Sequence, residues 1–131
     1  MIKSIDHIVL KTQDTDKTIQ FYCSVLDMTL DRFKPAGSSS ERLALCFGVQ
    51  KINLHQASSP YVPHAQNSVS GAVDICFLSD IPIEKWNERF TQYPITVEEG
   101  PTAKTGATGP LCSIYVRDPD GNLIEISNLT S

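Results

Sequence analysis

The chain has 131 residues, of which 40% are hydrophobic, and its 15 acidic side chains outnumber 11 basic ones, giving a formal net charge of −4. This length allows one compact domain, or two small half-domains with a common core, without disulfides. Because no run of lysine or arginine could follow a phosphate backbone, we expect no nucleic-acid partner. No apolar stretch is long enough for a signal peptide or a membrane span, which favours a cytoplasmic protein with no membrane partner.

The first part of the chain predicts one βαβββ unit. Residues 5–11 alternate and are rich in Ile and Val, as in a strand. Asp14 or Asp16 is then placed to cap a helix. That helix carries apolar residues at helical spacing: Ile19, Tyr22, Val25 and Leu26. Short strands separated by turn residues are predicted near 29–34, 42–47 and 51–56.

The same order of elements recurs after residues 57–70, which lack periodicity and predict a linker. "HIVLKTQD" and "DICFLSD" superpose, with His7 over Asp74. A strand is predicted over 71–78, a helix opened by Ser79 or Asp80 follows, and three further strands lie near 95–99, 111–117 and 122–127. The repeat predicts an α+β fold of two half-domains, about 1–56 and 71–131.

Three motifs carry a family resemblance: "DHIVL" at the start, "FYCSVLDM" in the first helix and "YVRDPDGNLIEI" near the end. With the repeat, they resemble the vicinal-oxygen-chelate superfamily, which includes glyoxalase I, extradiol dioxygenases, fosfomycin-resistance thiol transferases and bleomycin-binding proteins. The chain is most similar to small glyoxalase-domain-containing, dioxygenase-related members. The resemblance implies a single domain over 1–131, in which tandem βαβββ repeats form a curled mixed sheet.

The resemblance also implies a divalent metal ion, Zn, Ni, Mn or Fe, held by the first and last strands of each half. His7 and Glu125 occupy two of the implied ligand positions. An ionised Glu125 between Ile124 and Ile126 needs a partner if it is buried, although strand alternation also allows it to face solvent. His7 could instead form a local hydrogen bond. Asp74 occupies a third position, where it can bind metal or pair with a backbone amide or an arginine.

The fourth ligand position has two candidates. Alignment with glyoxalase I, which carries Glu there, favours Asn53, a weak metal ligand that can also contact substrate. Ligand chemistry favours His55, two residues further along the same face, if the strand shifts register or bulges.

The segment "GPTAKTGATGP", residues 100–110, is interpreted as a loop between two strands that can cover a binding site. Lys104 and Thr105 are its candidate contacts to an anionic substrate. "RDPDGN" predicts a tight turn in which Arg117 and Asp118 are structural. His64, in the linker, is expected to be exposed and is assigned no role.

The resemblance favours a glyoxalase I-like lyase or isomerase that chelates neighbouring oxygens of a small metabolite, with Glu125 as the base. One alternative is a metal-free protein that sequesters a ligand, like the bleomycin-resistance members. Another is a small extradiol dioxygenase, which needs a second histidine ligand. A homodimer is expected, and the halves can pair within one chain or between two.

Overall fold

The computed structural model describes residues 1–59 and 61–131, and the chain divides into two compact units, Met1–Gly71 and Ala72–Ser131. Each unit contains one four-stranded mixed sheet and one helical segment. The predicted α+β class and the tandem βαβββ order are therefore confirmed.

The first unit begins with β1, His7–Thr12, and a short helix α1, Thr15–Ile19, which continues as a π-helical turn at Gln20–Val25. The Asp14 carboxylate caps α1 by accepting a hydrogen bond from the Lys17 backbone N–H at 3.2 Å, as the sequence predicts. The remaining strands are β2 Thr29–Phe33, β3 Arg42–Phe47 and β4 Gln50–Gln56. The sheet order is β1-β4-β3-β2, and only the β1–β4 pair is parallel.

Strand alternation divides the side chains of this first sheet into two sets. One set is apolar and buried, and includes Leu10, Leu45, Ile52 and Leu54. The buried side chains of the helical segment, Phe21, Tyr22 and Val25 among them, complete the apolar core of the unit. The opposite face carries His7, Lys11, Asn53 and His55, so burial of one face presents the polar residues on the other.

The second unit repeats this arrangement with β5 Asp74–Leu78, α2 Ile83–Gln92, β6 Glu99–Thr105, β7 Pro110–Arg117 and β8 Leu123–Leu129. Its sheet order is β5-β8-β7-β6, with β5 and β8 parallel. Helix α2 packs on β7 and β8 and buries one face, which carries Ile83, Trp86 and Phe90 at helical spacing. No helix within the described residues is long and apolar enough to cross a membrane.

Strand β6 corrects two sequence-based expectations. The predicted strand at 95–99 is wrong, and most of the segment interpreted as a loop forms β6 instead. A β-bulge between Glu99 and Thr102 absorbs Gly100, whose φ of +105° favours glycine. A Cβ at Gly100 would lie 2.3 Å from the Ser113 carbonyl oxygen. Pro101 has no backbone N–H to donate, and it is tolerated here because β6 is an edge strand, with a neighbouring strand on one side only.

The turn between β7 and β8 is held by two buried side chains, Asp118 and Asn122. Asp118 Oδ1 accepts the backbone N–H of Asp120 at 3.0 Å and of Asn122 at 2.9 Å, while its Oδ2 accepts from Asn122 Nδ2 at 2.8 Å. Asn122 Oδ1 in turn accepts the Val73 backbone N–H at 2.9 Å, just before β5. Asp118 is thus structural, as predicted, and Asn122 ties the turn to the strand that pairs with β8.

We predict that Asn122→Ala lowers the free energy of unfolding by about 2–3 kcal/mol, because it leaves the partly buried Val73 N–H and the buried Asp118 carboxylate without this partner. Urea denaturation followed by circular dichroism measures the change. Asn87→Ala, at an exposed position of α2, is the matched control and should leave stability unchanged or slightly raised. Equal effects of the two substitutions would contradict the structural role of Asn122.

Candidate functional site

The first unit brings its polar candidates together on its two parallel strands. Val9 on β1 pairs with Asn53 on β4, and Lys11 pairs with His55. His7 lies two residues before Val9 and therefore faces the same side of the sheet. All of these side chains lie opposite the apolar core.

The second unit has the same register. Cys76 on β5 pairs with Glu125 on β8, and Asp74 lies two residues before Cys76. By position in its sheet, Asn53 is therefore the counterpart of Glu125. His55, in turn, is the counterpart of Ser127.

The His7 side chain is oriented by its neighbour in the chain. Its Nδ1 lies 2.8 Å from Asp6 Oδ2, and 43% of the side chain is exposed. A carboxylate on one ring nitrogen fixes the tautomer and leaves the other nitrogen, Nε2, free to bind a ligand. This is the arrangement that metal-binding histidines use, so His7 fits the predicted role.

Asn53 presents an unsatisfied acceptor. Its Oδ1 is buried and has no hydrogen-bond partner within the described part of the chain. Buried side-chain oxygens in native proteins are nearly always satisfied, and an exception calls for a ligand, an ion or water. Asn53 therefore fits a position that contacts a metal ion or a substrate donor.

His55 has a different environment, because the Lys11 Nζ lies 3.4 Å from its Nδ1. An ammonium group can only donate, so Nδ1 accepts and the ring proton lies on Nε2. Burial lowers the pKa of His55, and the charges of Lys11 and Arg42 lower it further. A metal ion at His55 would be repelled by the adjacent ammonium group.

Arg42 and Tyr61 complete this part of the site. The Arg42 guanidinium carbon lies 3.8 Å from the centre of the Tyr61 ring, and the rings of Tyr61 and His55 meet edge to face at 4.7 Å. Neither Lys11, Arg42 nor Tyr61 was singled out from the sequence. Lys11 could have been found, because strand alternation places it on the same face of β1 as His7. No local sequence pattern, however, places Tyr61, a linker residue, against β3 and β4.

Glu125 lies at the centre of a hydrogen-bonded row in the second unit. Its carboxylate is half-buried, and its Oε2 accepts from the Ser127 hydroxyl at 3.2 Å. The Tyr115 hydroxyl, on the neighbouring β7, also hydrogen-bonds to Glu125. Burial, followed by this bond to a carboxylate, raises the pKa of Tyr115 to about 12. Two hydroxyl donors therefore orient the Glu125 carboxylate.

Cys76 adds a thiol to the same row. Its Sγ lies 3.2 Å from the Ser127 hydroxyl oxygen, which also lies 2.6 Å from the buried Ser113 hydroxyl. Burial is the main cause of a raised pKa for Cys76, so the thiol stays protonated near neutral pH. It is a neighbour of Glu125 rather than a nucleophile.

Of the two predicted residues on β6, Lys104 lies close to the hydrogen-bonded row around Glu125. Its Nζ lies 3.3 Å from Glu99 Oε2 and 5.4 Å from the centre of the Tyr115 ring. Thr105 pairs with Pro110 at the end of β6 and, by alternation, points to the opposite face from Lys104.

Asp74 is exposed and lies across from Leu123. The arginine near it, Arg117, is hydrogen-bonded to Glu98 at 2.5 Å, and this bond is the main cause of the raised pKa of Arg117. Asp74 is thus left without an ion-pair partner among the described residues, and its carboxylate is available to a ligand.

The predicted metal ligands are divided equally between the units, His7 and His55 in the first and Asp74 and Glu125 in the second. Over residues 1–59 and 61–131, no group of three or more His, Cys, Asp and Glu side chains could hold a metal ion. Each unit thus supplies half of the predicted ligand set.

Comparison with known proteins gives consistent matches. The sequence model of the Glyoxalase/Bleomycin resistance protein/Dioxygenase superfamily matches residues 4–126. The chain is 46% identical over 127 residues to the virulence protein STM3117 of Salmonella typhimurium, covering 97% of this chain and 85% of that protein. It is 44% identical to the glyoxalase domain-containing protein RDO1 of Mycosarcoma maydis, covering 97% and 69%.

Solved structures show the same likeness. The crystal structure of STM3117 superposes with a TM-score of 0.90 at 44% identity, covering 99% of both chains. A lactoylglutathione lyase from Agrobacterium tumefaciens gives 0.71 at 23% identity, covering 98% of this chain and 95% of that one. TnmS3, an antibiotic binding protein from Streptomyces, gives 0.75 at 17%, covering 98% of each. The last two likenesses show the fold alone.

We predict that Tyr115 ionises near pH 12, above the usual value of about 10. Ultraviolet difference titration of the wild type against Tyr115→Phe isolates its signal. Because the folded pKa is raised, the stabilisation from this group is complete below pH ~10 and is lost as the pH rises towards 12. Glu125→Gln should lower the Tyr115 pKa only in part, since burial is the larger cause. A Tyr115 midpoint near 10 in the wild type would contradict the contact with Glu125.

Proposed function

This chain belongs to the Glyoxalase/Bleomycin resistance protein/Dioxygenase superfamily, and we propose that it is a metal-dependent lyase or isomerase of the glyoxalase I type, acting on a small oxygenated metabolite. The main support is one observation about register. In both units the first and last strands pair in parallel, and they present His7 with Asn53 and Asp74 with Glu125 at equivalent positions. Two copies of one arrangement, each with potential ligands, support the proposal of a metal ion.

His7, Asn53, Glu125 and Asp74 are the proposed ligands of a divalent ion. The set combines imidazole and oxygen donors, which suit Zn, Ni, Mn or Fe. When bound, such an ion polarises neighbouring substrate oxygens and stabilises negative charge that develops on them. His7 fits this role because Asp6 orients its ring, and Asn53 fits because its Oδ1 is unsatisfied.

Glu125 is the proposed base. Proton transfer next to a carbonyl needs a carboxylate that is ionised before the reaction and held in one orientation. Ser127 and Tyr115 hold the Glu125 carboxylate in one orientation, and Tyr115 remains a donor throughout the neutral range because its pKa lies near 12. Tyr115 and Ser127 are therefore positioning residues, whereas Glu125 receives the proton.

A homodimer is the proposed assembly. Apolar side chains exposed on or beside the first strand of each unit support it, since Ile5 is 66% exposed, Val9 40% and Leu78 61%. Exposed apolar surface of this kind is typical of protein interfaces.

A metal-free binding protein is the second candidate. The observation that favours it is the lack, within the described ranges, of any three-residue group of His, Cys, Asp and Glu able to hold an ion. The antibiotic-binding TnmS3 has the same fold. An extradiol dioxygenase has less support, because its second histidine would have to be His55, which lies beside the Lys11 ammonium group.

We predict that the purified protein binds a divalent ion, and that His7→Ala and Glu125→Ala each weaken binding by at least about tenfold, as loss of a ligand does. Calorimetric titration with zinc, nickel, manganese and ferrous ions, together with elemental analysis, measures the binding. Asn53→Ala should also weaken it, whereas His55→Ala should not.

The control for this experiment is His64→Ala, since the exposed His64 ring contacts only the neighbouring Ala65 carbonyl. It should bind metal as the wild type does. If the wild type takes up no ion above the level of His7→Ala and Glu125→Ala, the metal-dependent enzyme is ruled out and the binding protein remains.

For the metal-loaded protein, we predict isomerisation of the hemithioacetal formed from methylglyoxal and glutathione. Glu125→Gln should lower kcat by at least about a hundredfold, because general-base catalysis contributes 10²–10⁴. Tyr115→Phe should reduce kcat less and leave metal content unchanged. Absence of turnover in a fully loaded wild type would exclude this substrate and leave the proposed metal site intact.

A further inference from the structure

The first unit carries three nitrogen donors in one row across three neighbouring strands. Lys11 on β1 pairs directly with His55 on β4. The antiparallel register that pairs Leu43 with Leu54 places Arg42, the first residue of β3, beside His55. We call Lys11, His55 and Arg42 the basic row.

The two charges of the basic row have no carboxylate partner. Lys11 is 8% exposed, and no ion pair to Lys11 or Arg42 exists among the described residues. Glu41, next in the chain to Arg42, pairs instead with Arg32 at 3.1 Å. Removing a cation from water without an anionic partner is unfavourable, so such an arrangement is unusual when its role is only structural.

Donors in the basic row are also left unsatisfied. The Arg42 Nε is buried and has no hydrogen-bond partner within the described part of the chain. His55 accepts from Lys11 at Nδ1, so its Nε2–H is a further donor. The guanidinium carbon of Arg42 lies over the Tyr61 ring, 3.8 Å from its centre. A fixed guanidinium with an unsatisfied N–H is pre-organised for a carboxylate or phosphate.

Space for a small molecule lies next to Arg42. A cavity of about 410 Å³ is lined by Arg42 and Tyr61 together with polar residues, the apolar Leu43 and Leu54, and Glu41, whose carboxylate is paired with Arg32. This volume is within the range of small-molecule sites. Arg42 is the member of the basic row that lines the cavity, so a molecule bound to Arg42 could place its remaining atoms there.

We infer that the basic row binds the carboxylate or phosphate group of a small organic anion. The inference rests on the proposed function in so far as that anion is the substrate. Along β1 and β4, the basic row lies two residues beyond Val9 and Asn53, a distance of roughly 7 Å. The anionic group is thus separate from the oxygen pair presented to the metal, so the substrate class is an oxygenated metabolite with an additional acidic group.

The test uses the full-length protein stripped of metal with a chelator, so that it does not depend on catalysis. Benzoate and inorganic phosphate are the anionic probes, and benzamide is the neutral counterpart of benzoate. Nitrogen-15 correlation spectra report on the Arg42 Nε–H signal, which is assigned by its loss in Arg42→Gln. We expect saturable downfield movement of that signal with benzoate, phosphate or both, and none with benzamide.

Calorimetry with the same probes measures affinity in two variants and a control. Lys11→Met and Arg42→Gln should each weaken binding about tenfold or more, as expected for the loss of a charged hydrogen bond. Lys11→Met keeps the length of the buried side chain, and it removes a buried charge that has no carboxylate partner, so it should fold with an undiminished Tm. Lys17→Met, at an exposed position of α1, is the charge-matched control and should bind as the wild type does.

Three results would overturn the inference: no saturable movement of the Arg42 signal with either anion, equal effects of benzoate and benzamide, or unchanged affinity in both folded variants. A preference for benzoate or for phosphate assigns the acidic group. Anion binding by metal-free protein that then fails to take up metal would support this inference while refuting the proposed enzyme, so the two failures are distinguishable.

Discussion

The parallel pairing of the first and last strand of each unit determines where every candidate functional side chain lies. Alternation places neighbouring residues on opposite faces, so a slip of one residue would bury Asn53 and expose Leu54. Burial prevents this slip, because Leu54 is 6% exposed and Ile124, beside Glu125, is 0% exposed. The hydrophobic residues thus fix the register, and the register fixes the site. The positions of the polar side chains are therefore determined by packing of the apolar core rather than by contacts among the polar groups themselves.

Much of this arrangement could be predicted from the sequence, since alternation and helical periodicity are local properties. The order of elements follows from short patterns, and so does a cap at Asp14, one of two candidates. The position of Asn53, the counterpart of Glu125, came instead from the family resemblance, which left His55 as an alternative. Strand β6 could not be predicted in the same way, because glycine, proline and threonine in succession are typical of a loop, and only pairing with β7 makes the segment a strand. Contacts between residues that are distant in the sequence could not be predicted from local patterns either. Lys11 with His55, and Arg42 with Tyr61, depend on which strands become neighbours.

The two units share one topology but differ in chemistry at equivalent positions. The row through Glu125 contains the Cys76 thiol, the Tyr115 hydroxyl and Glu99 on successive strands, all of which can donate to or modulate a carboxylate. At the corresponding positions the first unit has Val9, Asn53, Ala44 and Asp31. Of these four residues only Asp31 is charged, and Lys11 and Arg42 lie one row away. Equivalent faces of the two units are therefore divided in their chemistry. A duplicated half-domain allows this division, because the core of each unit tolerates changes on the opposite face.

The basic row also gives a physical reason for Asn53, where the family resemblance implies a glutamate. A carboxylate at residue 53 would lie on the same sheet face as Lys11 and Arg42, one row away, within reach of their long side chains. Half-buried opposite charges at that separation attract strongly, so the glutamate would neutralise the cations that are proposed to bind an anion. An amide retains an oxygen acceptor for the proposed ion without a competing charge. The two proposals are therefore coupled, because a weaker metal ligand at residue 53 leaves Lys11 and Arg42 free to bind an anionic group.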